Sequence, residues 1–310
     1  MNYGWLLVGI AAAASALMTV AVYPSPFFAM LQLSLTSLPL FLVGLAFGSV
    51  LGLASAAAAF VALVLALGLD IAAYHAAMTG VPACLLIWQA ERSRSDATVL
   101  LLTMVAYACA MIVLAAMLLS GQPGGMQGVI AAELQETLKA LTDYAEQSGQ
   151  APLPVEELGA MLDQLAALFP AFAAAGWVLT TAVSAGVAQL LLRRFGRAAL
   201  PTPDIADLKP PRWIAIVLAV VLALAYLPDG IGFVGRNMVP VVLLVFLFAG
   251  LGVLHTLARR SASGGFWLGG TYALLIVFSW AAAAVVVLVG MLDVVFDFRR
   301  RAGPPPPDDE

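Results

Sequence analysis

The chain reads as an all-α polytopic transmembrane helix bundle, with about eight full spans, a C-terminal short-helix hairpin and an amphipathic helical segment outside the membrane. Three observations predict this class. Hydrophobic residues fill 63% of the 310 positions and charged residues 10%, an apolar excess well above the usual half of a soluble chain. Apolar blocks of about 20 residues, the length that crosses about 30 Å of hydrocarbon, recur along the sequence. All of the 14 Lys and Arg except Lys139 and Arg236 fall in four clusters between those blocks, the pattern of loops retained on the cytoplasmic side.

The spans follow in order. The first is placed near 4–22. No Lys or Arg precedes it, unlike the charged start of a secretory signal, so it is expected to be retained. Further spans are expected near 27–46, 48–68, 71–89 and 98–119. Four crossings then separate the N-terminus from the first basic cluster, Arg92 and Arg94, and both are assigned to the cytoplasm. The fifth span exits into an acidic segment, 121–165, where Glu133, Glu136, Asp143, Glu146, Glu156, Glu157 and Asp163 face only Lys139.

That segment is amphipathic. Met126, Ile130, Leu134, Leu138, Leu141 and Tyr144 with Ala145 recur at steps of three or four, the mark of a helix with one apolar face. A Ser/Gly/Pro break at 148–154 precedes a second helix, which opens on Glu156 and Glu157, acids suited to a positive dipole end. Some fifty residues cannot bury a core of their own, so the segment is expected to be a lid or a helix lying on the membrane surface.

The second helix runs through Pro170, with a kink, into the sixth span at 168–192. It returns to the largest basic loop, 193–212, carrying Arg193, Arg194, Arg197, Lys209 and Arg212 among four prolines that keep it extended. Spans at 212–227 and 238–257 deliver Arg259 and Arg260 inside again. The stretch Gly264 to Asp297 would run about 50 Å as one straight helix, too long for a bilayer without steep tilt. Two short helices meeting near Ser279-Trp280 would bring Arg299, Arg300 and Arg301 back to the cytoplasm. The tail from Pro304, proline-rich and then acidic, is expected to be disordered. The organisation expected is therefore a five-span bundle (1–119), external acidic helices (120–167), a C-terminal membrane region (168–301) and a tail (302–310), both termini inside.

Several function classes are excluded or disfavoured. A net charge of −4 argues against nucleic-acid binding, and no Gly-rich phosphate loop occurs, so the chain has no ATPase of its own. No Ser/His/Asp set, His-Glu-x-x-His or paired-cysteine spacing offers hydrolytic or metal chemistry. Cys84 and Cys109 lie in separate apolar segments and read as small hydrophobes. We expect no enzyme, cofactor or metal.

Polar groups at membrane depth carry the functional expectations. On the outer side the threading gathers Gln32, Asp70, Tyr74, His75 and Asn237. A carboxylate, a phenol and an imidazole at one cavity would suit a small polar ligand, whereas Asp70 alone would serve as a helix cap. On the inner side His255 and Asp293 form a candidate proton-sensitive or anchoring pair, and Asp297 can reach the arginines that follow. Gly44, Gly48 and Gly52, four apart, allow close helix approach.

Three stretches together resemble the YybS-like family of bacterial inner-membrane proteins: Pro39-Leu-Phe-Leu-Val-Gly44-Leu-Ala-Phe-Gly48, the run from Asn237 through Gly250 to His255, and Gly290-Met-Leu-Asp293-Val-Val-Phe-Asp297-Phe-Arg299-Arg300. Leu168-Phe-Pro170 adds to the likeness. The resemblance implies a multi-pass protein of the bacterial inner membrane. Through that family the first six spans are similar to the substrate-binding S components of energy-coupling-factor transporters. That likeness would make Ala12 and Ala16 a coupling surface for an energising ATPase module. The leading functional expectation is a transport-type protein that binds a small polar solute from outside. The competing one is a membrane scaffold that docks cytoplasmic partners on the Arg-rich loop 193–212, with Arg193, Arg194 and Arg197 as contacts, and on the tail.

Overall fold

The computed structural model describes residues 3–22, 35–149, 154–261, 263–297 and 299, and every regular element among them is helical. Helix α1 is Tyr3–Val22. Helix α2, Leu38–Phe47, has a proline in its first turn and stops at Gly48, whose φ of 102° only glycine adopts without strain. Gly48 also starts α3, Ser49–Leu67, and Gly68, with φ 95°, separates α3 from α4. Helix α4 runs from Leu69 to Ser93 with a π-helical turn at Ala76–Gly80. It ends as Arg94 and Ser95 turn left-handed. Helix α5, Ala97–Leu118, is capped by Asp96, whose Oδ1 accepts from the N–H groups of Thr98 (2.8 Å) and Val99 (3.1 Å).

Helix α6 is Gly125–Gln147 and α7 is Val155–Arg194, with Pro170 inside it. After the loop come α8 (Trp213–Ala225), α9 (Asp229–Ala258) and α10 (Gly264–Phe296). Seven of the described helices, α1, α3, α4, α5, α7, α9 and α10, are long and apolar enough to cross a membrane. The expected span at 212–227 is α8, only 13 residues; at 1.5 Å per residue it is about 20 Å long, short of a bilayer. The expected second span lies partly outside the described residues, and its described part, α2, has ten.

The described residues group into two units. One comprises those up to Tyr107 together with Trp177–Lys209, the other Ala108–Gly176 together with those from Pro210 onward. In the first unit the glycine series works as its spacing predicts. Ile87 of α4, fully buried, fills the notch where a Cβ on Gly44 or Gly52 would sit. Glu91, one turn further on, accepts from the Ser49 N–H at 2.7 Å and so caps α3 from a neighbouring helix. Ala12 and Ala16 are buried, Ala16 against Leu63 and Ala72. The face assigned to a coupling partner is thus covered by the chain's own helices, because alanines that let a partner approach serve an internal neighbour equally well.

In the second unit α9 and α10 touch backbone to backbone. A Cβ on Gly250 would fall on the carbonyl of Val286, and one on Gly290 on the carbonyl of Phe246. That exchange pairs 250 with 286 and 246 with 290, so the second half of α10 runs antiparallel to α9. Helix α10 breaks at Ser279 (φ 30°, ψ −84°), where the sequence places the junction of two helices. The second half then descends along α9 away from Arg259 and Arg260, rather than returning its end to them. Helix α6 buries only Leu138 and Ala145 of its predicted apolar face, leaving Leu141 and Tyr144 exposed. It is joined to the start of α7 by Gln135, whose Nε2 donates to Asp163 Oδ1 at 3.2 Å.

Candidate functional site

A buried polar cluster lies in the first unit, between apolar helices. His75, only 2% exposed, points from α4 at two hydroxyls one turn apart on α1. Its Nδ1 lies 2.9 Å from Thr19 Oγ1 and its Nε2 3.5 Å from Ser15 Oγ. Ser15 donates to the Thr36 carbonyl at 2.7 Å, and Thr19 donates to the Ser15 carbonyl at 3.0 Å. Four polar contacts therefore share three protons, since a hydroxyl has one and a neutral imidazole one. With both hydroxyl protons committed to carbonyls, each ring nitrogen faces an oxygen lone pair. Counted over the contacts of Ser15, Thr19 and His75 among the described residues, the cluster is one donor short.

The π-helical turn that follows His75 has a local cause. The Val81 N–H bonds back five residues, to the Ala76 carbonyl. Pro82 has no N–H, so it orphans the Ala77 carbonyl in a five-residue scheme and the Met78 carbonyl in a four-residue one. These two carbonyls are supplied from outside α4. Tyr107 of α5 donates its hydroxyl to Ala77 O at 2.6 Å, and Trp177 of α7 donates Nε1–H to Met78 O at 2.8 Å. The two rings stand 5.5 Å apart between centroids. Turns of this kind inside helices are frequent at functional sites.

The other expected ligand residues are placed differently. Asp70 and Tyr74 share one face of α4, four residues apart, and both are exposed, while His75 is turned into the helix packing. The three do not converge, because His75 lies one helical step round from Tyr74. Asp70 makes no capping hydrogen bond, and Gly68 occupies the cap position. Gln32 lies outside the described residues. Asn237, in the second unit, is fully buried and its amide is spent on backbone: Oδ1 accepts from Ala171 N–H, and Nδ2 donates to the carbonyls of Ala167 and Phe233, each at 2.9 Å. Pro170 opens the hydrogen-bond ladder of α7 there, and the carboxamide fills the gap like an inserted peptide.

The expected pairing of His255 with Asp293 is also replaced. Asp293 Oδ2 takes Arg299 Nη2 at 2.8 Å and Nε at 2.9 Å, and both side chains are buried. The left-handed turn at Asp297 folds the chain back, so a residue six positions on reaches Asp293. His255 Nδ1 donates to the Leu251 carbonyl at 2.9 Å on its own helix, and the ring meets Tyr272 edge-on. Arg300 and Arg301, the expected partners of Asp297, lie outside the described residues. Arg193, Arg194 and Arg197 are exposed, with Arg193 Nη1 donating to Thr202 Oγ1 at 3.3 Å.

Sequence reasoning missed Ser15, Thr19, Thr36, Tyr107 and Trp177. Two signals could have found them: hydroxyls at a four-residue interval in an otherwise apolar α1, and Pro82 seven positions after a histidine within a span. The family described as Predicted membrane protein (DUF2232) matches residues 12–294. No curated protein and no solved structure matches the chain.

Proposed function

From the premise that the chain belongs to the DUF2232 family of predicted membrane proteins, we propose that it is a transport-type protein of the bacterial inner membrane, binding a small polar solute from the outer side with no ATPase of its own. The observation that carries this reading is the donor deficit around His75. A solute with an N–H or O–H group would complete the four contacts and release one hydroxyl from its carbonyl. Ionisable side chains in spans are costly and mark solute or proton pathways by default. With Arg92 taken as cytoplasmic by the positive-inside rule, the 17 residues between it and His75, about 25 Å along a helix, support a cluster toward the outer face.

Native mass spectrometry of gently extracted protein tests it. Wild type should carry a small molecule that His75→Gln and Thr19→Val lose, and a species equally bound by all three, or by none, would remove the solute site. A specific feature favours a second reading, a scaffold for cytoplasmic partners. Arg194 and Arg197 form no ion pair among the described residues and flank Phe195, which is 72% exposed. A partner recovered in stoichiometric amount by wild type, and lost on reversing both arginine charges, would support the scaffold.

A further inference from the structure

The π-helical turn and its two outside donors do more than complete a hydrogen-bond inventory, because the turn decides which way His75 points. The five residues Ala76–Gly80 accommodate one residue more than α-helical winding would. Each helical residue turns the chain by about 100°. Were the turn to tighten into α geometry with Val81–Ser93 held in place, the preceding segment would rotate by about that angle. His75 would move to the position Tyr74 now holds, which is 53% exposed, and Ala76 would replace it opposite Ser15 and Thr19.

We propose that Tyr107 and Trp177 are positioning residues for the His75 cluster, acting through the π-turn they stabilise. Two observations carry this. Pro82, with no N–H, can serve neither the Ala77 nor the Met78 carbonyl, and these are the ones the two aromatic side chains bond. The donors come from two different helices, α5 and α7, so the turn is fixed by tertiary contacts rather than by local preference. The turn therefore has two windings available, and the phenol and indole select the one that buries the imidazole. The inference rests on the functional reading above for its relevance to a solute, but the winding itself can be measured without one.

The experiment uses the full chain in lipid nanodiscs and follows carbethoxylation of His75 by diethylpyrocarbonate, read by peptide mass spectrometry, with His255 as the internal reference. Pro82→Ala restores the missing N–H and removes no side-chain bond. Tyr107→Phe combined with Trp177→Phe keeps an aromatic ring at each position and removes both donors. Each should raise the rate of His75 modification by about two- to tenfold, the population change matching one net hydrogen bond, with the His255 rate unchanged. Thr19→Val, which removes a contact of the ring without touching the turn, should have a smaller effect. Should the double variant fail to fold, Pro82→Ala carries the test alone. Folded variants in which His75 stays as protected as in wild type would overturn the proposal. Shifted protection in a protein that retains no solute would overturn the functional reading and leave the positioning role standing.

Discussion

Replacing Asn237 by Leu, close in size and without hydrogen-bonding groups, removes a carboxamide that bonds three backbone groups of two helices. The Phe233 carbonyl is one turn back on α9 and keeps its own helical donor, so its loss is small. The Ala171 N–H and the Ala167 carbonyl are different, since Ala171 is 1% exposed and Pro170 holds the ladder of α7 open beside them. Left unpaired in an apolar site, each would cost about 1–3 kcal/mol. Side-chain hydrogen bonds inside membrane proteins measure about 0.6 kcal/mol on average and up to about 1.7. Between those bounds we expect Asn237→Leu to cost about 2–4 kcal/mol, with the helix recovering part by closing the gap. Reversible unfolding in mixed detergent micelles measures it. Pro170→Ala, which lets α7 wind straight, should cut that cost by more than about 1 kcal/mol in the double variant, because contacting residues couple on that scale. A single-variant cost below about 0.5 kcal/mol, or a full cost that persists in the Pro170→Ala background, would refute the inserted-peptide account.

Gly290→Val should destabilise the second unit by about 3 kcal/mol or more in the same assay, at the upper end for overpacking, because the added carbon meets the Phe246 carbonyl rather than a movable side chain. Asp293→Ala removes the carboxylate that pairs with the buried Arg299 guanidinium and should cost about 3–5 kcal/mol, whereas replacing Asp293 and Arg299 together by Leu should recover most of it. Glu91→Ala removes the acceptor that caps α3 and should lower stability by about 0.5–2 kcal/mol, with Glu91→Gln retaining part of the cap. Thermal unfolding in nanodiscs, followed by intrinsic fluorescence, reports the last two.

Most of the spans were legible because about 20 apolar residues between basic clusters admit few other readings, but the apolar run at 212–227 folds as a helix of only 13 residues. Pro170, Gly48 and the Ser279 break all lie where composition alone places an interruption. Partner choice was not legible in the same way. Asp293 meets Arg299 only because Asp297 turns left-handed, and no spacing rule for helices pairs positions six apart. Asn237 reads from sequence as a polar group seeking a ligand, and only the opened ladder at Pro170, more than sixty residues away, shows it already satisfied. The division of α7 between two units also leaves no trace in its apolar pattern, since lipid-facing and helix-facing alanines look alike. His75 was identified, yet its companions were sought in Gln32, Asp70, Tyr74 and Asn237. The hydroxyls of Ser15 and Thr19 proved to be its neighbours, and an apolar helix carries them at little cost because each is bonded to a carbonyl, Thr19 to that of Ser15 and Ser15 to that of Thr36.

The backbone contact at Gly250 and Gly290 has a bearing on traffic through the protein. Where only hydrogens separate two helices, no acyl chain, water or solute can pass between them, and neither helix can slide along the other without driving a carbonyl into a Cα. The paired segments of α9 and α10 therefore form a sealed seam. Any molecule that crosses the bilayer with the help of this chain must take a route elsewhere.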